Sequence, residues 1–180
     1  MRAPLERMRL RSLYGKDNEV LQTHGSTYGK VRDGGSRAHQ GWDLSAAPGT
    51  PVYAIADGII SHAQAEDQAD FFDRAGNYGR HIVLWFYFRG REFYAFYAHL
   101  QNVRVQTGTI VSEGDLIGLT GRSGLGAGKL PIDQAHLHFE IRRLAATGKG
   151  LKNHVDPIHF FSLPSGENQC LAPPAQVQSL

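Results

Sequence analysis

Twenty-one glycines interrupt the short apolar runs of this 180-residue chain, most of them in its middle. Glycine placed between short apolar runs is typical of strands joined by tight turns, because it adopts the backbone angles that such turns require. The apolar fraction of 41% and the charged fraction of 20% are ordinary for a globular protein, and the length suits one hydrophobic core. We therefore predict a mainly β, single-domain fold of antiparallel sheets with little helix.

The strongest strand signal is a β-hairpin. Residues 81–88 (HIVLWFYF) and 91–100 (REFYAFYAHL) are rich in aromatic and β-branched residues and flank an Arg-Gly turn at 89–90. Alternation of apolar and polar residues around Gly58 predicts two strands with a turn or bulge. Further strands are predicted at 51–64, 103–121 and 135–144, and a closing segment at 155–161.

We divide the chain into three parts. Residues 1–30 form an N-terminal extension that we expect to pack loosely, residues 31–162 form the domain, and residues 163–180 form a disordered tail. The single cysteine, Cys170, lies in this Pro/Gln-rich tail. One cysteine excludes an internal disulfide and any cysteine-based zinc knuckle.

Charge and hydropathy narrow the class of partner. The formal net charge is only +2, without a dense Lys/Arg block, so we expect no nucleic-acid partner. No apolar run approaches the roughly 20 residues that span a bilayer, so no membrane span is predicted. The basic start of the chain has no apolar segment behind it, so we expect no cleavable signal peptide here. We expect a monomer.

Chemistry is suggested by histidines and one aspartate in three short strings. His39 and Asp43 occur in HQGWD, His99 in YAHL, and His136 and His138 in AHLHFE. On a strand, residues two apart point to the same face, so the last two imidazoles would project together. Imidazole and carboxylate without thiolate suit zinc, which in catalytic sites keeps three protein ligands and one water. The strings alone do not decide which three groups bind the metal.

Several other side chains have alternative roles. Glu140, next along the strand face of the histidine pair, is either a partner of a ligand or a plain strand-face glutamate. Trp42, Tyr78 and Tyr97 could stack on a substrate, although core packing suits Trp42 and Tyr97 better. The remaining histidines have no comparable neighbours in the sequence, and we interpret them as structural or surface residues: His24, His62, His81, His154 and His159.

The three strings, in this order, resemble the motifs of lysostaphin-type zinc endopeptidases. HQGWD is similar to that family's HxGxD opening, YAHL to its second motif and HLHFEIR to its third. NYG at 77–79, the glycine and valine rhythm at 108–118 and VDP at 155–157 also fall where the family has them. The resemblance covers about residues 35–161 and implies an open groove on antiparallel sheets, with lipoyl-like hairpins.

The resemblance implies a role for each residue. His39, Asp43 and His138 would be ligands of Zn²⁺, and His99 and His136 would be the catalytic histidines. The implied substrate is a stem peptide or cross-link of bacterial peptidoglycan. The implied place of action is the periplasm or cell wall, reached by export, as a secreted effector or a phage enzyme. We expect groove walls at 65–79, 101–107 and 122–134, the last longer than is usual in the family.

Two alternatives use the same fold without this chemistry. A non-catalytic peptidoglycan-binding or hydrolase-activating module would have lost ligands, whereas all five positions are present here. A lipoyl-like carrier needs a lysine at an exposed hairpin tip, and EGDLIG at 113–118 supplies none.

Overall fold

A computed structural model describes residues 1–14, 21–148 and 150–164 of the chain. Cys170 and nearly all of the predicted tail lie outside the described residues. The strands are β1 (Leu13–Tyr14), β2 (Leu21–Gln22), β3 (Gly29–Arg32), β4 (Arg37–His39), β5 (Trp42–Ser45), β6 (Pro51–Tyr53), β7 (Gly58–Gln64), β8 (His81–Phe88), β9 (Arg91–Ala98), β10 (Leu100–Val103), β11 (Ile110–Val111), β12 (Leu116–Thr120), β13 (His136–Arg142) and β14 (His154–Val155). The helices are α1 (Gly124–Gly128) and 3₁₀ turns at His24–Ser26, Asp33–Gly35, Ile132–Gln134 and Pro157–His159.

The mainly β prediction is confirmed. The larger sheet has seven strands in the order β11-β7-β8-β9-β13-β14, with β5 also paired to β13, and a smaller sheet has the order β10-β12-β6. All of these pairings are antiparallel. No helix among the described residues has both the length and the apolar character needed to cross a bilayer.

The predicted hairpin is present as β8 and β9, but its second strand ends two residues early. His99 has a φ of 62°, in the left-handed region, and its backbone N–H bonds the carbonyl of Tyr78 instead of a strand partner. A strand cannot continue through that conformation. Leu100 therefore begins β10, which belongs to the smaller sheet.

The main core lies between the two sheets. Alternate residues of β13, Leu137, Phe139 and Ile141, belong to one apolar cluster with Val52 and Ile117 of the smaller sheet. Because side chains alternate across a strand, His136, His138 and Glu140 project from the opposite face. Trp42 and Tyr97 are fully buried in the core, as expected.

The N-terminal residues pack more tightly than we predicted. Leu5, Met8 and Leu10 are at most 7% exposed and join the main core. The backbone of residues 9–11 also bonds to β5, with Ser45 N–H to the Arg9 carbonyl and Arg11 N–H to the Asp43 carbonyl. The prediction of loose packing was therefore wrong for these residues. The edge of β5 that does not pair with β13 needs hydrogen-bond partners, and the backbone of residues 9–11 supplies them. The domain boundary at residue 30 remains a prediction.

Candidate metal centre

The three predicted ligands meet where β4, β5 and β13 come together. His138 and Asp43 are direct partners in the β13–β5 ladder, and His39 ends β4 four residues before Asp43. His138 Nδ1 lies 2.8 Å and His39 Nε2 lies 3.0 Å from Asp43 Oδ1. The two nitrogens are 3.2 Å apart. All three side chains are at least 94% buried.

Each of the two ligand imidazoles is held through its other ring nitrogen. His39 Nδ1 donates to the carbonyl of Thr27 at 2.8 Å, and His138 Nε2 donates to Glu140 Oε1 at 2.7 Å. In the neutral ring, the nitrogen directed at the centre therefore carries a lone pair. This arrangement, in which an outer acceptor fixes the tautomer of a ligand, is typical of metal-bound histidine.

Asp43 divides its two oxygens between different partners. Oδ1 faces the histidines, whereas Oδ2 accepts from Arg11 at 2.9 Å and from Arg32 at 2.6 Å. Burial would raise the pKa of Asp43, but the neighbouring His39 and His136 and the hydrogen bonds lower it well below its usual value. Asp43 is therefore a carboxylate at neutral pH. Neither arginine carried a recognisable signal in the sequence.

Glu140 is a partner of a candidate ligand rather than a plain strand-face residue. It is fully buried and accepts from His138, Arg142 and the Tyr78 hydroxyl. Burial alone would raise its pKa, but the Arg142 charge and the hydrogen bonds from His138 and His154 lower it well below the usual range. His154, for which the sequence suggested no neighbour, lies with Nε2 3.1 Å from Glu140 Oε2.

The two predicted catalytic histidines lie beside this centre. Their rings are 4.9 Å apart, and His136 Nε2 is 3.7 Å from Asp43 Oδ1. His99 Nδ1 donates to the carbonyl of Ser123, and His136 Nδ1 donates to that of Gln134. Burial lowers the pKa of His99 to about 3, with a further contribution from the other histidines, and lowers that of His136 to about 4. Both rings are thus neutral at pH 7, with Nε2 as the acceptor.

The donor set fits a zinc ion. Ligand atoms about 2.0–2.1 Å from a tetrahedral zinc lie about 3.3 Å from one another, close to the separations of 2.8–3.2 Å between these three atoms. Two neutral imidazoles that direct lone pairs at each other and at a carboxylate repel one another unless a cation or proton lies between them. Nitrogen and oxygen donors without thiolate also suit zinc.

A groove of about 790 Å³ opens onto the centre. Two of its walls are the predicted ones, through Asn77 and Tyr78 of the loop at 65–79 and Gly126 and Leu130 of the loop at 122–134. The third predicted wall, 101–107, is wrong, because β10 places that segment in the smaller sheet, behind the core. Residues 24–40 form the third wall instead, with Arg32 and Arg37 among them.

Tyr78 packs against a candidate ligand. Its ring stacks on that of His138 at 5.1 Å, and its hydroxyl bonds Gln40 Oε1 at 2.8 Å and Glu140 Oε1 at 3.2 Å. The sequence suggested that this ring could stack on a substrate. In the structure the ring covers His138 and lines the groove at the same time.

Several known proteins are similar to this chain in sequence. The chain is 36% identical over 105 residues to an uncharacterised metalloprotease of Haemophilus influenzae, and 33% identical over 103 residues to a peptidoglycan DD-endopeptidase of Vibrio cholerae. These alignments cover 58% and 57% of this chain but only 18% and 20% of those proteins. The chain thus spans about a fifth of the length of these curated relatives.

A solved structure is similar to this chain in fold. The catalytic domain of the antimicrobial peptidase lysostaphin from Staphylococcus simulans superposes with a TM-score of 0.54 at 27% identity, covering 73% of this chain and 86% of that domain. The profile of peptidase family M23 matches residues 37–157, which include all five predicted site residues and more than half of the chain. The resemblance to lysostaphin-type peptidases is therefore confirmed, and the chain belongs to peptidase family M23.

Proposed function

We propose that this chain is a zinc-dependent endopeptidase that hydrolyses peptide bonds in the stem peptides or cross-links of bacterial peptidoglycan. The observation that carries the proposal is the convergence of His39 Nε2, Asp43 Oδ1 and His138 Nδ1 within 3.2 Å of one another, beside two neutral imidazoles. Membership in family M23 and the peptidoglycan DD-endopeptidase among the relatives support the choice of substrate.

His39, Asp43 and His138 would hold the metal. When bound, zinc supplies a Lewis acid that makes water nucleophilic near neutral pH and stabilises negative charge on a carbonyl oxygen. The protein contributes orientation: Thr27 and Glu140 fix the ligand tautomers, and two arginines hold the outer oxygen of Asp43. These partners orient the three donors toward one point.

His99 and His136 would move protons in the reaction. Because both rings are neutral at pH 7, each Nε2 offers a lone pair that can accept a hydrogen bond from the attacking water. The lowered pKa values make both rings weak bases, so a proton taken from the water would pass on readily to the leaving amine. Hydrogen bonds from Nδ1 to the Ser123 and Gln134 carbonyls hold both rings in place for these transfers. We assign the proton transfers to the pair without ranking its members.

The wall of the groove at 24–40 brings two arginines close to the candidate metal centre. Arg32 and Arg37 lie in the wall at 24–40, and the side chain of Arg37 is 58% exposed. Both arginines already pair with acidic side chains, Arg32 with Asp43 at 2.6 Å and Arg37 with Asp33 at 2.7 Å, so a carboxylate of a stem peptide would share these guanidinium groups. Because peptidoglycan is the proposed substrate, the proposed place of action is the periplasm or cell wall, and the proposed form is a monomer.

Digestion of purified peptidoglycan tests the proposal. We expect mass analysis of the products to reveal cleaved peptide bonds, activity to be lost in the presence of a chelator, and activity to return with added Zn²⁺. Digestion that continues unchanged in the presence of the chelator, or products cut only in the glycan, would contradict the proposal. A non-catalytic module would instead leave the polymer intact with or without zinc.

A further inference from the structure

A second cluster of nitrogen and oxygen donors lies on the groove face of the larger sheet. It consists of His62 on β7, His81 at the start of β8 and Asp70 from the loop at 65–79. One ligand atom from each residue lies within 4.8 Å of the others. Two imidazoles and one carboxylate make up this cluster, the same composition as the candidate metal centre. The sequence shows no comparable neighbours for these two histidines, and the folded chain brings them together.

Asp70 directs one oxygen at both imidazoles. Its Oδ1 accepts the backbone N–H groups of Phe72 at 2.8 Å and Asp73 at 2.7 Å. Its Oδ2 lies 2.7 Å from His62 Nε2 and 3.5 Å from His81 Nε2. Burial would raise the pKa of Asp70, but the backbone hydrogen bonds and both histidines lower it, so the group is ionised at neutral pH. The loop backbone thus fixes the carboxylate in a ligand-like orientation.

His81 carries a buried nitrogen that lacks a hydrogen-bond partner. Its side chain is 0% exposed, and Nδ1 donates to the Gly79 carbonyl at 2.7 Å, which leaves Nε2 as a lone pair in the neutral ring. Among the described residues nothing forms a hydrogen bond with this Nε2. The Asp70 carboxylate, whose Oδ2 is 3.5 Å away, also offers only lone pairs. A cation between the two would satisfy both groups, whereas the bare arrangement is costly.

We propose that His62, Asp70 and His81 form a second divalent metal site, which takes Zn²⁺ or a similar first-row ion. Nitrogen and oxygen donors without thiolate suit these ions, and water would complete the coordination. His62 is 23% exposed at its side chain, which gives the ion a route from solvent. Its ring is also held in place, because it stacks on Phe72 at 4.1 Å.

The ion would clamp one wall of the groove to the sheet. The ligands come from two adjacent strands and from the loop that crosses them, so coordination joins three segments. Farther along the same loop, Asp73 accepts the backbone N–H of Tyr78. Tyr78 in turn contacts His138 and Glu140. The second ion would therefore stabilise the wall that carries Tyr78, without touching the reacting groups.

Metal stoichiometry tests this proposal. The protein is stripped with a chelator, loaded with Zn²⁺, freed of excess metal and measured for bound zinc per chain. We expect two ions in the wild type and one in Asp70→Asn, because the asparagine oxygen still accepts both backbone N–H groups but is a poorer metal ligand. We also expect one ion in His39→Ala, which keeps the second site. One ion in both the wild type and Asp70→Asn would overturn the proposal.

Limited proteolysis tests the clamp independently of activity. Arg74 is exposed in the loop at 65–79 and offers a trypsin site. We expect Zn²⁺ to slow cleavage after Arg74 at least tenfold in the wild type and in His39→Ala, but not in Asp70→Asn. Equal protection of all three proteins would refute the clamp. Because His39→Ala removes the proposed catalytic ion alone, failure of the proposed function and failure of this site give different patterns.

Discussion

Each of the four histidines at the candidate centre uses one ring nitrogen to fix its orientation and directs the other toward the centre. His39, His99 and His136 donate Nδ1 to backbone carbonyls, whereas His138 donates Nε2 to Glu140. His138 therefore faces the centre through Nδ1 and His39 through Nε2. The sequence motifs identify which residues gather here, but not which nitrogen each one presents, because that depends on acceptors such as the Thr27 and Ser123 carbonyls, which lie outside the motifs.

His99 combines a proposed catalytic role with a left-handed backbone. Asparagine tolerates a φ of 62° better than most residues, so we expect His99→Asn to keep the fold and the bound zinc. Loss of a proton-transfer group should lower kcat about 10²–10⁴-fold. Measuring kcat, zinc content and thermal unfolding together separates these effects.

A matched control has the same backbone geometry away from the groove. Arg89 in the β8–β9 turn has a φ of 51°, and Arg89→Asn should leave kcat unchanged. If His99→Asn loses its zinc or unfolds at a much lower temperature, the residue supports the structure, and the catalytic assignment is wrong.

The pairing register of β5 against β13 brings the ligands of the candidate metal centre together. Pairing of Phe139 with Trp42 and of His138 with Asp43 brings two sequence-distant motifs together. Gly41, within the HQGWD string, lies so close to β13 that an added Cβ would be 2.1 Å from the Phe139 carbonyl oxygen. The motif therefore needs glycine for a close strand contact, not for an unusual turn.

Gly41→Ala should push β5 away from β13 and separate Asp43 from His138. We expect a loss of about 1–3 kcal/mol in the free energy of unfolding, typical of overpacking, and at least a tenfold weaker zinc affinity. Gly148→Ala is the control, because no heavy atom lies within 4 Å of its Cβ position. Denaturant unfolding and zinc titration measure both quantities; equal behaviour of the two variants would exclude the steric argument.

The hairpin and the third motif were predictable because their signals are local: aromatic and β-branched runs beside a turn in the hairpin, and apolar alternation in HLHFEIR. The walls of the groove were less predictable from the sequence. The segment 101–107 follows the YAHL string directly, yet the left-handed turn at His99 sends it into the smaller sheet. The wall at 24–40 has no apolar period, and its position depends on contacts such as Arg32 with Asp43. Only the folded chain brings these residues together.

The N-terminal residues are part of the fold that supports the candidate metal centre. Residues 9–11 bond to β5, and the side chain of Arg11 reaches Asp43. The polar composition of residues 1–30 concealed this, because apolar residues spaced irregularly along an extended segment give no periodic signal. The second histidine cluster is not apparent in the sequence for a different reason, because seven residues separate His62 from Asp70 and ten separate Asp70 from His81.

Leu5→Ala tests whether this segment is integral to the fold. Leu5 is 1% exposed within the main core, and removing a buried leucine side chain costs about 2–5 kcal/mol in the free energy of unfolding. Ile110 on β11 is 81% exposed, so Ile110→Ala should change stability by no more than about 0.5 kcal/mol. Urea unfolding at neutral pH compares the two variants. If residues 1–11 were a loosely packed extension, Leu5→Ala would be as mild as Ile110→Ala. If Leu5 belongs to the core, we also expect Leu5→Ala to displace Arg11, the partner of Asp43, and so to weaken zinc binding.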